Sequence, residues 1–326
     1  MYLDNPSGSY CIFVAERDGE IVGVGHDLYI DVKHGEEDFR TVYGTDVAVH
    51  PEHRRRGLYT KLVRARLKIK MKNSDFQYGY TTNPILLERR KRSYEEEPSA
   101  YYFPYKACKY IWIKDVDLHL KMMKTNKAWL MKQGHKIKKF MSKIRHMVDR
   151  SIEDDGSYSI NVAERFDDSS DSFWRKVAPH YNFIGKRDKE YLNWRYCDPR
   201  SGNYTVLQAK DKDKLLGYVV TSMELGDLYP TGYIIDLLAL HGKNEVAVAL
   251  VNAAVKKINE NGVNVIRALI VKGHPYESVF ERNGFIDNRE SLYVRYRKSA
   301  DSEESKTLRD SPPEKIHLVY SDLFVR

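Results

Sequence analysis

Residues 41–70, TVYGTDVAVHPEHRRRGLYTKLVRARLKIK, constrain this chain more than any other stretch. Val42, Gly44, Asp46 and Ala48 alternate with Tyr43, Thr45, Val47 and Val49, the period-two pattern of a strand with two different faces. Pro51 stops it, because proline has no amide to give to a ladder. After His53-Arg54-Arg55-Arg56-Gly57, residues Leu58, Leu62, Ala65 and Ile69 recur at the spacing of one helix face. A strand, a tight basic turn and a helix therefore follow one another. The first turn of such a helix leaves amides unpaired and carries the positive end of the helix dipole. Gly57 lets a ligand come close to the backbone, and three arginines attract anions. The junction is a seat for a phosphate or pyrophosphate. The alternative is an arginine-rich helix start on a solvated face.

With 326 residues, the chain is long enough for two domains, and 42% hydrophobic residues place it among globular proteins. No apolar run is long enough to span a membrane, and the first residues lack a signal-peptide layout. Cys11, Cys108 and Cys197 are odd in number and far apart, which argues against a disulfide scaffold and a zinc site and for a reducing, cytoplasmic setting. His26, His34, His50 and His53 have no metal-ligand spacing, so no metal is expected. The net charge of +8 is uneven: between Lys121 and Arg150 stand ten lysines and arginines and one acid, Asp149. The remainder is close to neutral, and nucleic acid is not an expected partner. Residues 115–156 read as a basic helical linker, either with solvated lysines or as a cationic amphipathic face for an anionic surface or partner.

Three strands precede the basic turn's helix, and a fourth follows at 76–82. A helix at 86–96 and a hairpin at 101–114 complete the first half. Neither a G-x-G-x-x-G nor a P-loop is present. Val47-Ala48-Val49-His50-Pro51 followed by Arg54-Arg55-Arg56-Gly57-Leu58-Tyr59 resembles the acetyl-CoA loop of the GNAT acyltransferases, a strand ending V-x-P and then [RQ]-x-x-G-x-[GA] opening a helix. Tyr59 departs from the small residue that pattern ends on. The resemblance implies an α+β, three-layer fold: a mixed, mostly antiparallel twisted sheet with flanking helices. From 157 the same element order begins again, with last strands at 291–298 and 315–323 and a loop at 299–313. Lys189 to Tyr196 is similar to a segment of tandem GNAT proteins. This gives a first domain at 1–114, the linker, and a degenerate second copy at 157–326. The second copy has only His241-Gly242-Lys243-Asn244 where the loop belongs. The first domain lacks the family's opening strand and two helices, so either its start lies upstream of Met1 or something else closes that side.

The resemblance also implies transfer of an acyl group from acetyl-CoA, or another acyl-CoA, to an amine of a small molecule or protein. The cofactor would lie along Val47, Ala48, Val49, Arg54, Arg55, Arg56, Gly57, Leu58, Tyr59 and Thr60, with Asn83 as a further contact; Asn83 could equally be a helix N-cap before Pro84. Asp46 is the candidate base, or a carboxylate that pairs with a neighbouring arginine. Tyr94 is the candidate donor to the leaving thiolate. Asp236 is the corresponding acid of the second copy and could line a cleft, while Phe280 stands where a tyrosine would be needed. Two other readings stay open: aminoacyl or peptidyl transfer, and a non-catalytic acyl-CoA sensor or scaffold.

Overall fold

A computed structural model describes residues 4–8, 10–80, 100–102, 104–123, 157–226, 229–297 and 303–323. Asn83, Tyr94, the helix expected at 86–96 and residues 124–150 of the basic stretch lie outside them. The first half of the chain builds β1 (Tyr10–Arg17), β2 (Glu20–His34), β3 (Glu37–Val49), α1 (Leu58–Asn73), β4 (Phe76–Gly79), β5 (Ala100–Tyr102), β6 (Ala107–Ile113) and α2 (Val116–Met123). Then come β7 (Ser159–Ala163), α3 (Ser169–Val177), β8 (Phe183–Gly185), α4 (Lys189–Leu192), β9 (Tyr204–Asp211) and β10 (Lys214–Leu225). The chain ends with β11 (Pro230–Ala239), α5 (Asn244–Asn259), β12 (Val265–Val271), α6 (Tyr276–Arg282), β13 (Ile286–Leu292), β14 (Arg295–Arg297) and α7 (Glu303–Asp310).

These elements form two compact units. One comprises Met1–Lys106, Tyr181–Lys186 and Leu292–Pro312; the other comprises Ala107–His180, Arg187–Ser291 and Pro313–Arg326. The sequence placed its boundaries at 114 and 157, but each unit draws on both halves of the chain. The first sheet runs β1-β2-β3-β4-β14-β5, with β8 also on β2; the second runs β13-β6-β12-β11-β10-β9-β7. Residues 101–114 do not close a hairpin. β5 pairs with β14 in the first sheet, whereas β6 pairs with β12 in the second. The aromatic and β-branched content that marks a strand does not specify its partner. The first sheet thus contains two strands from the second half of the sequence, β8 and β14, and the second sheet one from the first half, β6.

Two other expectations are corrected. Residues 303–310 are the helix α7, held by a Lys306–Glu303 ion pair of 2.7 Å and by burial of Leu308. Residues 313–323 form short helical turns instead of a last strand, with the chain from Ile316 to Leu323 buried. A later segment joins the first sheet: β8 pairs antiparallel with Val32 to His34 of β2. The Lys33 ammonium donates to the Tyr181 carbonyl at 2.7 Å, and the Gly35 amide donates to the Asn182 carbonyl at 2.8 Å.

Helix α1 lies on the first sheet by an unexpected face. Leu62 is buried, but so are Arg66 and Lys70, while Ala65 and Ile69 are exposed. The inward stripe is therefore Leu62-Arg66-Lys70, at the i, i+4, i+8 positions of one face. Arg66 donates to both oxygens of Asp27 on β2, at 2.5 and 3.2 Å, and to the His26 carbonyl at 2.5 Å. Lys70 reaches the same carboxylate at 2.6 Å. Glycines make room for these long side chains. A Cβ on Gly25 would stand 2.6 Å from the Arg66 guanidinium, and one on Gly44 would stand 2.6 Å from the Lys70 ammonium. Apolar periodicity missed this face because its inner half is ionic.

Removing the charge of Asp27 takes from Arg66 and Lys70, two buried cations, the carboxylate they share. Asp27→Asn should lower stability by about 3–5 kcal/mol, the usual cost of breaking a buried pair from one side. Urea unfolding of the full chain, followed by circular dichroism, measures it.

Candidate functional site

The sheet forks where β3 leaves β4. These strands run parallel through only two pairs, Thr41 with Phe76 and Val42 with Gln77, and β4 ends at Gly79. β3 continues to Val49 without β4 beside it. Near that end its ladder with β2 slips: Val24 faces Ala48 and His26 faces Thr45. Asp46 and Val47 therefore sit together opposite Gly25, a β-bulge. A bulge leaves backbone polar groups outside the ladder, here on the strand that borders the fork. The interior glycines of Gly23-Val24-Gly25 were the available sequence signal for close approach or a bulge.

From Val49 the chain turns at Pro51–His53 and enters α1 through Gly57. Gly57 has φ of 76°, in the left-handed region, and a Cβ built on it would meet nothing within 4 Å. Arg55 is also left-handed, at φ 61°, a conformation that costs a non-glycine residue about 1–3 kcal/mol and recurs at functional sites. Arg54 donates from Nε to the Val49 carbonyl at 3.2 Å, tying the loop to the strand end. The helix's own bonding begins with the Lys61 amide donating to the Gly57 carbonyl at 3.1 Å. Helix geometry gives the amides of Leu58 and Tyr59 no acceptor within the helix. No acid stands in this first turn. Exposed Arg55 and Arg56, a glycine with open space before it and the positive helix end together fit a pyrophosphate.

The structure thus brings Asp46, Val47, Ala48, Val49 and Arg54 through Thr60 to one end of β3, beside the fork. Asn83 and Tyr94 lie outside the described residues. A cleft of about 510 Å³ lies at the other end of α1, lined by Asp31, Asp38 and Asp75 together with Arg40, Lys72 and Lys186. It sits at the negative end of the helix and mixes both signs of charge, so it does not suit a pyrophosphate.

The second unit repeats the backbone device and fills it. β11 and β12 run parallel through Thr231/Val265 to Tyr233/Arg267 and then part. The β10–β11 ladder slips between Val220 and Thr221, leaving Ile235 as the extra residue. Gly242, at φ 78° with open space beside it, precedes α5. Here, however, the first turn carries Glu245, which pairs with Lys243 at 3.7 Å, and no arginines precede it. The fork itself holds the segment 313–323. Val319 joins the core under α5 and α6. His317 stands 3.8 Å from Asp236 of β11 and packs on His274 and Tyr276, which follow β12, at 5.6 and 6.0 Å. The amide of Ala239, at the end of β11, donates to the Tyr276 hydroxyl at 2.9 Å.

Asp236 does not line an open cleft. It is fully buried and accepts from Arg187 at 2.8 Å, Tyr196 at 2.7 Å and Tyr218 at 3.1 Å. Arg187 also donates to Asp322 at 2.6 Å and to the Ser321 hydroxyl at 3.0 Å. Burial alone would raise the Asp236 carboxyl; the Arg187 guanidinium and His317 outweigh it and hold the group well below the usual carboxylate range. Its charge is structural. Phe280, in place of a donor, is buried in the same unit.

Residues 5–91 match the family model described as an acetyltransferase (GNAT) domain. No curated protein matches the chain. Among solved structures, a GCN5-related N-acetyltransferase from Anabaena variabilis ATCC 29413 is similar with TM-score 0.54 and 12% identity, over 88% of this chain and 62% of that one. A GCN5-related N-acetyltransferase from Kribbella flavida gives 0.51 and 14%, over 89% and 60%. A tandem GNAT protein from the clavulanic acid biosynthesis pathway gives 0.53 and 13%, over 92% and 86%. The chain spans about three fifths of the length of the first two. At these identities the likeness shows the fold.

The depressed Asp236 carboxyl ties stability to acid. A group held below its unfolded value stabilises the fold above that value, about pH 4. The contribution is then lost as pH falls toward the folded value. Stability should therefore drop steeply below about pH 4 in the wild type. Asp236→Asn should be less stable by about 3–5 kcal/mol at pH 7 and lack this part of the acid dependence. Urea midpoints measured from neutral to acid pH test both.

Proposed function

We propose, for a chain that carries a GNAT acetyltransferase domain at residues 5–91 within a two-copy GNAT fold, that the first unit transfers an acetyl or other acyl group from acyl-CoA to a primary amine. The observation that carries this reading is the loop between β3 and α1: an open left-handed glycine, exposed arginines and a helix start free of acids, beside a forked sheet. Acyl-CoA would supply an already activated thioester. The chain's task is then to position the reactants and manage protons.

Arg55, Arg56 and the amides at the start of α1 hold the pyrophosphate, and the fork leads the pantetheine arm between β3 and β4. A backbone amide released at the Asp46–Val47 bulge donates to the thioester carbonyl oxygen as charge gathers there, the kind of interaction worth about 3–4 kcal/mol in related chemistry. Asp46 takes the proton that the amine must lose, directly or through water. Tyr94 gives a proton to the departing sulfur. The second unit contributes stability, with its fork filled by the chain's own 313–323 and its acid held by Arg187.

Calorimetry with acetyl-CoA tests the site. The wild type should bind one equivalent, and Gly57→Glu should lose more than about a hundredfold in affinity, since the new carboxylate enters the pyrophosphate's space and repels it. Binding by neither protein would sink the reading. Asp46→Asn should keep acetyl-CoA affinity while kcat falls about 10²- to 10⁴-fold; unchanged turnover in an amine screen would remove Asp46 as base, and binding with no turnover for any amine would favour a sensor.

A further inference from the structure

Helix α1 is charged far beyond the loop that begins it. From residue 47 to residue 74 the chain has nine lysines and arginines and one acid, Glu52. Arg66 and Lys70 turn inward to Asp27. Arg55, Arg56, Lys61, Arg64 and Lys72 are exposed, and no ion pair engages them among the described residues. Lys61, Arg64 and Lys72 lie at i, i+3 and i+11, which a 3.6-residue period places on one stripe. At about 1.5 Å per residue, the helix carries this stripe to Lys72, roughly 21 Å beyond Leu58 at the pyrophosphate seat. Like charges along one helix stripe repel and destabilise it. A diphosphate seated at the N-terminus engages the first turn, where the unpaired amides and the pull of the helix end are concentrated. Arg64 lies beyond that turn, and Lys72 stands at the far end of the helix, bordering the cleft that also holds Asp31, Asp38 and Asp75.

Resting on the acyl-transfer reading above, we propose that this ridge docks an acidic carrier protein that presents the acyl group on a phosphopantetheine arm. The arm's phosphate is the same chemistry the Gly57 seat accepts, and the partner's carboxylates meet Lys61, Arg64 and Lys72. One surface thus recognises the carrier while the seat and fork recognise the arm. The step balances as before. The amine nitrogen forms the C–N bond, the thioester C–S bond breaks, and the carrier's thiol leaves with the proton the amine gives up. Charge steering of this kind sets association rate and partner choice and weakens with salt.

The test uses the full chain and a charge-reversed form, Arg64→Glu/Lys72→Glu, both beyond the first turn that forms the seat, with circular dichroism to verify folding. The probes are an acetylated, arm-bearing acidic carrier protein, the same carrier without its arm, and acetyl-CoA. The wild type should bind the acetylated carrier with an affinity that falls steeply from about 50 to about 200 mM salt, and the reversal should weaken it more than about tenfold. Acetyl-CoA affinity should change less than about twofold, and the arm-less carrier should retain weak, ridge-dependent binding. No carrier binding, or carrier binding indifferent to the reversal, overturns the proposal. Ridge-dependent binding of RNA or anionic vesicles without carrier binding overturns it in favour of those partners. Failure of acetyl-CoA to bind either form is read separately, as failure of the acyl-transfer reading, because the arm-less carrier reports on the ridge alone.

Discussion

The first unit depends on one buried carboxylate. Asp27 projects from the middle of β2 and receives both Arg66 and Lys70, so the helix that follows the basic loop is fixed to the sheet by directed bonds as well as by apolar area. The consequence for the site is positional. Bonds to a guanidinium and an ammonium from one point set the rotation of α1 and its height above β2 and β3. They also account for Gly25 and Gly44, which would otherwise be weak choices in a strand interior. The same Gly25 is the residue that the bulge at Asp46 and Val47 faces. Helix anchorage and the irregularity of the site strand therefore share one residue.

The two units show what one backbone plan becomes under two side-chain programmes. Both have a parallel pair that forks, a slip in the ladder of the strand before the helix, and a left-handed glycine just ahead of that helix. In the first, arginines and an acid-free helix start favour an external anion. In the second, the helix start has its own acid and the fork has its own occupant. Asp236, Arg187 and Asp322 lock that occupant with hydrogen bonds whose removal would strand a charge in the core.

Much of this was legible in the sequence, for identifiable reasons. The period-two run before Pro51, the turn and the helix after it depend on local geometry, so the loop from Arg54 to Thr60 fell where the pattern put it. The strands from Tyr204 to Ala239 were equally local. What failed was non-local. The inward face of α1 could not be found from apolar spacing because Arg66 and Lys70 occupy it, and the partner they share is 39 residues from Arg66. Asp236 looked like a cleft acid because its counter-ion is 49 residues earlier in the chain. The segment 101–114 was correctly read as extended, yet nothing in its composition tells that its two strands join different sheets. For Asp46, the period-two pattern predicted its place on β3, and the structure added the bulge.

The reciprocal placement of β6 and β14 also has a consequence for how the protein is made. β4 acquires β14 as its antiparallel neighbour only when Arg295–Arg297 have been synthesised, more than two hundred residues after β4 itself. At ribosomal speeds of about 5–20 residues per second, that leaves a nascent first sheet with an open edge for on the order of ten seconds or more. Open edges of that kind are templates for mispairing. β6 emerges long before its neighbour β12 and has to wait unpaired in the same way. The chain therefore completes neither sheet until nearly all of it is present, and its halves mature together, late, and through contacts of high sequence separation.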